Sequence, residues 1–309
     1  MREKRLLVAG SSNIDFILNT PYIPAPGETL ISSGGYEIAP GGKGANSAVA
    51  ASNFGAQVLF CSRVGDDAYG DRLIALFSER GIDTRCVRRD KKAQTGLASV
   101  MVEKSGTNRI IVFSGANAGI SEKDIDDAFG YCPDAVLTQF EISDDAVFAA
   151  AKSAHDADIP LFVDAGPARP DFPLEKLEKV EILSPNENET EILTGIRPNS
   201  MENCLRACMA LSRRVEAKYI VLKLGGRGCY VYDGTYCDLF TAYDAPVVDT
   251  TAAGDIFTAA LTVEYLSTGS ISKAAKFANA AGAISVGRHG SMSSAPSRAE
   301  VEEFLRNNL

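Results

Sequence analysis

Residues 135–163 read AVLTQFEISDDAVFAAAKSAHDADIPLFV, and the fold is decided by how this stretch is read. Residues 135–137 and 161–163 are short and continuously apolar, the pattern of parallel strands buried on both faces. Residues 144–156, between them, read as a helix. The same alternation repeats in both directions. Residues 6–9, 58–61, 181–183 and 219–222 read as further buried strands; residues 43–53, 69–80, 186–193 and 201–216 read as helices. Such alternation predicts an α/β fold, a parallel sheet covered by helices on both faces. From about Gly254 the chain reads as three helices. Ala259-Ala260 with Val263, and Ala274-Ala275 with Ala278, are small residues that permit close packing.

Two regions interrupt the rhythm. Residues 14–39 carry Pro21, Pro24, Pro26 and Gly27, followed by strand-like residues 29–37. Residues 93–115 read as a hairpin, 95–103 and 109–113, about a turn at Lys104-Ser105-Gly106-Thr107. Neither holds a helical pattern, which predicts a small antiparallel β layer projecting from the body. The expected organisation is a body of residues 1–13, 40–92 and 116–309, with a β lid of 14–39 and 93–115. Such a layer has an apolar face and an open edge, so it is expected to cover a ligand or pair with another chain.

The chain has 309 residues, 23% charged and 45% apolar, the profile of a globular protein with a substantial core. Forty Asp and Glu against 31 Lys and Arg give a net charge of -9. An acidic surface repels phosphate backbones, so no nucleic-acid partner is expected. No run approaches the roughly 18–20 apolar residues of a membrane span. The apolar run at residues 6–10 is too short for a signal-peptide core. Seven cysteines scattered through apolar segments, with only two histidines, predict a reduced, cytoplasmic protein. Cys204 and Cys208 share a helical face, but nothing nearby completes a zinc site.

Chemistry concentrates in five places. Gly41-Gly42-Lys43-Gly44-Ala45-Asn46 opens a helix, where glycines allow close approach and free N–H groups are available. It lacks the spacer and hydroxyl of a Walker A loop, and a tight turn packed on glycine explains it equally. Asp249-Thr250-Thr251-Ala252-Ala253-Gly254-Asp255 also runs into a helix. Its small residues suit a developing anion, and Asp255 fits as a general base or as a favourable first-turn acid. Leu224-Gly225-Gly226-Arg227-Gly228 follows a strand, as nucleotide loops do, or is a simple β-turn. Asn186 and Glu189 share one side of a helix start, for a metal-bound water or for capping. Asn13 and Asp15 follow the first strand, placed to bond sugar hydroxyls or to make a turn.

Together these motifs resemble the ribokinase-like (PfkB-type) carbohydrate kinases. Gly-Ser-x-Asn-x-Asp at 10–15, the Gly41–Asn46 segment, Pro185-Asn186-Glu187-x-Glu189 and the 249–255 segment occur in that family's order and spacing, and the resemblance covers residues 5–306. It implies a three-layer α/β/α fold with a β-sheet lid, and ATP-dependent phosphorylation of a pentose, D-ribose, at its 5-hydroxyl. Asn13, Asp15, Gly41, Gly42, Lys43, Asn46 and Glu141 would bind the sugar. Asp255 would take the hydroxyl proton, and the amides of Ala252, Ala253 and Gly254 would form the anion hole. Asn186, Glu189, Lys223, Gly225, Gly226, Arg227, Gly228 and Asn279 would surround ATP, with Asn186 and Glu189 organising Mg2+ through water. A monovalent cation, K+, would sit at Asp249, Thr251, Ser285, Arg288, Gly290 and Ser294. A homodimer formed through the lid is also implied.

This chain departs from the family in places. Asn279 replaces a frequent His beside the adenine, and Thr251 replaces an apolar residue. Asp164-Ala165-Gly166-Pro167 replaces a common Asn-Pro-Ala-Pro, and Lys223 replaces a smaller hydroxyl residue. Alternative readings are a kinase for 2-deoxyribose, another sugar or a nucleoside, and a catalytically silent sugar binder. An intact Asp255 loop argues against silence. A dinucleotide-dependent oxidoreductase is disfavoured because GxGxxG is missing after the first strand.

Overall fold

A computed structural model describes residues 4–104 and 108–308. The strands are β1 (Arg5–Ala9), β2 (Asn13–Thr20), β3 (Tyr36–Gly41), β4 (Gln57–Gly65), β5 (Val87–Asp90), β6 (Gly96–Glu103) and β7 (Asn108–Phe113). They continue with β8 (Ala135–Gln139), β9 (Leu161–Asp164), β10 (Lys179–Ser184), β11 (Glu216–Lys223), β12 (Cys229–Tyr232) and β13 (Cys237–Phe240). The helices are α1 (Lys43–Asn53), α2 (Ala68–Glu79), α3 (Glu122–Phe129), α4 (Asp144–Asp156), α5 (Glu187–Thr194), α6 (Met201–Ser212), α7 (Ala253–Thr268), α8 (Ile271–Val286) and α9 (Arg298–Asn307).

One sheet runs β13-β12-β11-β10-β9-β8-β1-β4-β5. It is parallel from β11 to β5, while β12 and β13 add an antiparallel edge that the sequence pattern did not suggest. The unbroken apolar runs are explained by two cores. Leu6 and Val8 of β1 face one core with α1, α7 and α8; Leu7 and Ala9 face the other with α3, α4 and α6. Ala259, Ala260, Ala274, Ala275 and Ala278 are fully buried where α7 and α8 pack together. The helix expected over 201–216 ends at Ser212, because Glu216 already begins β11. Among the described residues, no helix is long and apolar enough to cross a membrane.

The second sheet runs β3-β2-β6-β7 and corrects the expected antiparallel layer. β2 pairs with β3, and β6 with β7, in antiparallel fashion, but β2 and β6 are parallel. The reason is topological. The two insertions leave the body after β1 and β5, strands that run the same way, so their first strands leave together. The strand expected over 29–37 is displaced to Tyr36–Gly41, beyond Ser32, Ser33, Gly34 and Gly35. Residues 105–107 of the expected turn lie outside the described residues.

The chain leaves β1 for the lid and returns into α1, which docks against that turn with almost no separation. A Cβ on Gly44 would lie 2.4 Å from the Gly10 carbonyl carbon and 2.5 Å from the Ser11 nitrogen. Backbone on both sides cannot yield without moving α1 off the sheet. Gly44→Ala is therefore expected to destabilise the protein by about 3 kcal/mol or more, read as a lower urea midpoint at unchanged m-value.

Candidate active site

Ligands in open α/β sheets bind beyond the carboxyl ends of the strands, where the connections diverge to either side. Here that point lies between β1, whose chain goes on to β4, and its other neighbour β8. Five strand ends feed the crevice. β1 delivers Ser11, β8 Glu141, β9 Asp164, β10 Asn186 with Glu189, and β11 Lys223. The starts of α1 and α7 close it.

The two glycine-rich helix starts differ in use. At α1 the free N–H groups are already taken: Lys43 N–H donates to Glu141 Oε2 at 3.0 Å, and Gly44 N–H to Ser11 Oγ at 3.3 Å. The Ser11 hydroxyl donates to the same Glu141 oxygen at 2.5 Å. Gly42 is the cap of α1 at φ 94°, and Gly41 pairs with Asn13 in the lid ladder. Glycine packing, rather than an open anion cradle, accounts for this motif. At α7 no side chain caps the helix. Ala252 holds a left-handed φ of 60°, an uncommon conformation for a residue with a Cβ. Ala253 N–H leans weakly on Thr250 O at 3.3 Å. The amides of this first turn have no intrahelical acceptors.

Asp255 lies in that turn, 4% exposed. Its Oδ2 accepts from Asn46 Nδ2 at 2.7 Å and its Oδ1 from Lys43 Nζ at 3.1 Å. Burial alone would lower the Lys43 pKa, but the charges of Asp255, Asp164, Glu189 and Glu141 hold it well above the ordinary lysine value. Asn13 and Asp15 fall on the first turns of lid strand β2, not at the end of β1. Burial, with the charges of Glu141 and Asp255, pushes the Asp15 carboxyl up to about 7. Asp15 Oδ1 and Asn46 Oδ1 are buried acceptors without a protein partner. Unmet acceptors of this kind call for a ligand rich in O–H donors.

Asn186 and Glu189 form a reciprocal capping box on α5, Glu189 N–H to Asn186 Oδ1 at 2.9 Å and Asn186 N–H to Glu189 Oε2 at 2.7 Å. The other Glu189 oxygen faces the pocket: a Cβ on Gly166 would lie 2.2 Å from it and 3.0 Å from Lys43 Nζ. Among the described residues no three acidic, His or Cys side chains gather as a metal site. A Mg2+ here would therefore be carried mainly by nucleotide phosphates and water. Gly225, Gly226 and Arg227 make one 3-10 turn ending at Gly228. The Arg227 guanidinium is committed to Glu187 Oε1 at 2.7 Å and Pro198 O at 2.5 Å. Asn279 is buried, its amide donating to Phe240 O at 2.9 Å and Thr241 O at 3.2 Å.

Asp249 accepts from Thr251 N–H at 2.9 Å and Gly290 N–H at 2.9 Å. Burial would raise its pKa, yet these bonds hold it below the usual carboxylate range. The Ser285 and Ser294 hydroxyls bond each other at 2.9 Å, and Arg288 N–H bonds Ser285 O at 3.0 Å. An ionised carboxylate among hydroxyls and carbonyls is a hard oxygen donor set, which fits an alkali cation.

Asn117, Asp164 and Thr258 belong to the site but to none of the motifs. Asn117, 1% exposed, bonds Ser12 N–H at 2.9 Å and Asn13 Oδ1 at 2.8 Å, fixing the start of the lid strand. Asp164 accepts from Lys223 Nζ at 2.6 Å and from Thr258 Oγ1 at 2.7 Å. The only sequence signal for these was the pair of departures at Asp164 and Lys223, which contact each other.

Residues 3–298 match the pfkB family carbohydrate kinases, and the chain belongs to that family of ATP-dependent sugar kinases. It is 36% identical over 305 residues to ribokinase from Haemophilus influenzae, covering 98% of each chain. It is 31% identical over 306 residues to deoxyribokinase from Salmonella typhi, covering 98% of this chain and 99% of the relative. The solved structure of Arabidopsis thaliana ribokinase complexed with ribose and ATP covers 99% of both chains, with a TM-score of 0.87 and 31% identity.

The Asp15 carboxyl gives a pH-dependent prediction. Its folded pKa is raised, so folding favours the protonated form, and the cost of Asp15 grows as pH rises from about 4 to about 7. Asp15→Asn is expected to be near neutral for stability at pH 4 and clearly stabilising at pH 8. Urea unfolding at the two pH values checks this, and equal effects would contradict it.

Proposed function

We propose that this chain transfers the γ-phosphoryl group of MgATP to the 5-hydroxyl of D-ribose. The observation that carries the reading is Asp255, buried in the open first turn of α7 and facing the acceptor-rich pocket of Asp15, Glu141 and Asn46. A pentose supplies the hydroxyl donors that this pocket lacks. Asn13, Asp15, Gly41, Gly42, Lys43, Asn46 and Glu141 hold the sugar. Asn46 and Lys43 fix the plane of the Asp255 carboxylate, and each oxygen keeps a second lone pair. Asp255 takes the 5-hydroxyl proton as that oxygen bonds the γ-phosphorus and the bond to ADP breaks. Charge on the transferring group is stabilised by the amides of Ala253, Gly254 and Asp255, with Ala252 setting the turn.

ATP lies along Asn186, Glu189, Lys223 and the Gly225–Gly228 turn (residues 225–228), with Asn279 at its base. Asn186 and Glu189 would hold Mg2+ through water, where it would neutralise phosphate charge. Asp249, Thr251, Ser285, Arg288, Gly290 and Ser294 would hold K+, beside the anion-hole loop. Ribose is favoured over 2-deoxyribose because a missing hydroxyl leaves one buried acceptor unpaired. The deoxyribokinase relative makes 2-deoxyribose the competing acceptor.

Lid strand β7 exposes Ile110, Ile111, Val112 and Phe113 along an open edge, supporting a homodimer formed through the lid. Seven free cysteines, five of them buried, support a reducing, cytoplasmic setting.

ADP release with MgATP in K+ buffer, across D-ribose, 2-deoxyribose, fructose and nucleosides, tests the proposal. Turnover should be highest with ribose; a nucleoside leading the panel would overturn the assignment. Asp255→Asn should lower kcat by roughly 10²–10⁴-fold with sugar binding retained. Replacing K+ with a bulky organic cation should lower turnover, and no change would remove the cation site.

A further inference from the structure

Asp164 and Lys223 end neighbouring regions of the same sheet edge and make a buried ion pair at 2.6 Å. Asp164 is fully buried and the Lys223 side chain is 8% exposed. Such a pair is a poor device for stability, because apolar side chains of similar volume serve as well or better. Its location is worse still for stability. A Cβ on Gly254 would lie 3.6 Å from Lys223 Nζ, so the ammonium stands beside the first turn of α7. A helix N-terminus repels a cation. An ammonium placed there is useful only if an anion comes to it.

The surrounding bonds fix the pair to that helix. Thr258, one turn further along α7, donates to Asp164 Oδ2 at 2.7 Å and also lies 3.3 Å from Lys223 Nζ. Gly166 N–H donates to the other Asp164 oxygen at 3.2 Å. Among the described residues, Lys223 Nζ bonds Asp164 and Thr258, and an ammonium has three N–H donors. The third is left for a ligand. Burial would raise the pKa of Asp164, yet Lys223 and Lys43 hold it below the ordinary range, so the carboxylate stays charged.

We propose that Asp164 is a positioning residue for phosphoryl transfer, holding the Lys223 ammonium beside Gly254 where it meets the transferring phosphoryl group. The proposal rests on the assignment of ATP to this site. It accounts for two departures at once. A lysine at 223 requires an acid at 164, and either alone would leave a buried charge unmatched.

The test is a double-mutant cycle on Asp164→Asn and Lys223→Met, with MgATP and D-ribose, reading kcat, both KM values and Tm. Lys223→Met should lower kcat on the order of 10²-fold, as loss of one anion-hole donor does, with the sugar KM unchanged. Asp164→Asn should lower kcat about 10-fold by releasing the ammonium from its place. It also leaves a buried cation unmatched and is expected to lower Tm. The double variant removes both charges together, so it should recover much of the Tm while keeping the low kcat of Lys223→Met. A double variant with wild-type kcat would make the pair purely structural and overturn the proposal. Effects on kcat that multiply would do the same, showing that Asp164 acts by another route. Wild-type protein that releases no ADP with any acceptor would instead overturn the ATP assignment, and the proposal with it.

Discussion

The Lys43 ammonium lies among the carboxylates of Asp255, Asp164, Glu189 and Glu141, and the site depends on that placement. Carboxylates brought this close in a buried site repel one another and favour taking up protons. Asp15 shows the effect: among the described residues no ion pair holds it, and burial with the charges of Glu141 and Asp255 raises its pKa to about 7. Asp255, bonded directly to Lys43 and Asn46, has the compensation that Asp15 lacks. One cation thus pairs directly with the proposed base of an otherwise acidic pocket.

The same economy explains why two similar helix starts have different fates. Both are rich in small residues and both offer unbonded amides. The start of α1 is occupied by Glu141 and Ser11 because β1, β8 and α1 meet there without space for anything else. That arrangement turns a glycine motif into a rigid joint and leaves the carboxylate of Glu141 at the pocket wall. The start of α7 has no such neighbour except Lys223, itself a donor. In the proposed function this directs anions to α7 and hydroxyl donors to the α1 side, with Asp255 between them.

The lid illustrates how topology sets chemistry. Its central strands are parallel because both insertions leave the body in one direction, and this parallel pairing aligns Asn13 with Gly96. Asn117, from the segment that returns to the body, then bonds Ser12 and Asn13. In the proposed function the sugar is therefore held jointly, by Asp15 on lid strand β2 and by Asn46 and Glu141 of the body, while Asp255 belongs to the body alone.

Apolar runs of three or four residues between helical segments were enough to predict a parallel sheet buried on both faces, because each strand must satisfy two cores at once. The motifs around Asn13, Lys43, Asn186 and Asp255 were equally legible, since close approach and charge chemistry restrict residue types locally. The antiparallel edge of β12 and β13 and the parallel pairing in the lid were not, because strand direction depends on partners distant in the chain. Nor could the sequence rank the two helix starts, as only the arrival of Glu141, 98 positions from Lys43, fills one of them. The pairing of Asp164 with Lys223 spans 59 positions and had no local signature. Local chemistry determined which groups the protein carries; the meeting of strand ends at one sheet edge decided which of them act on each other.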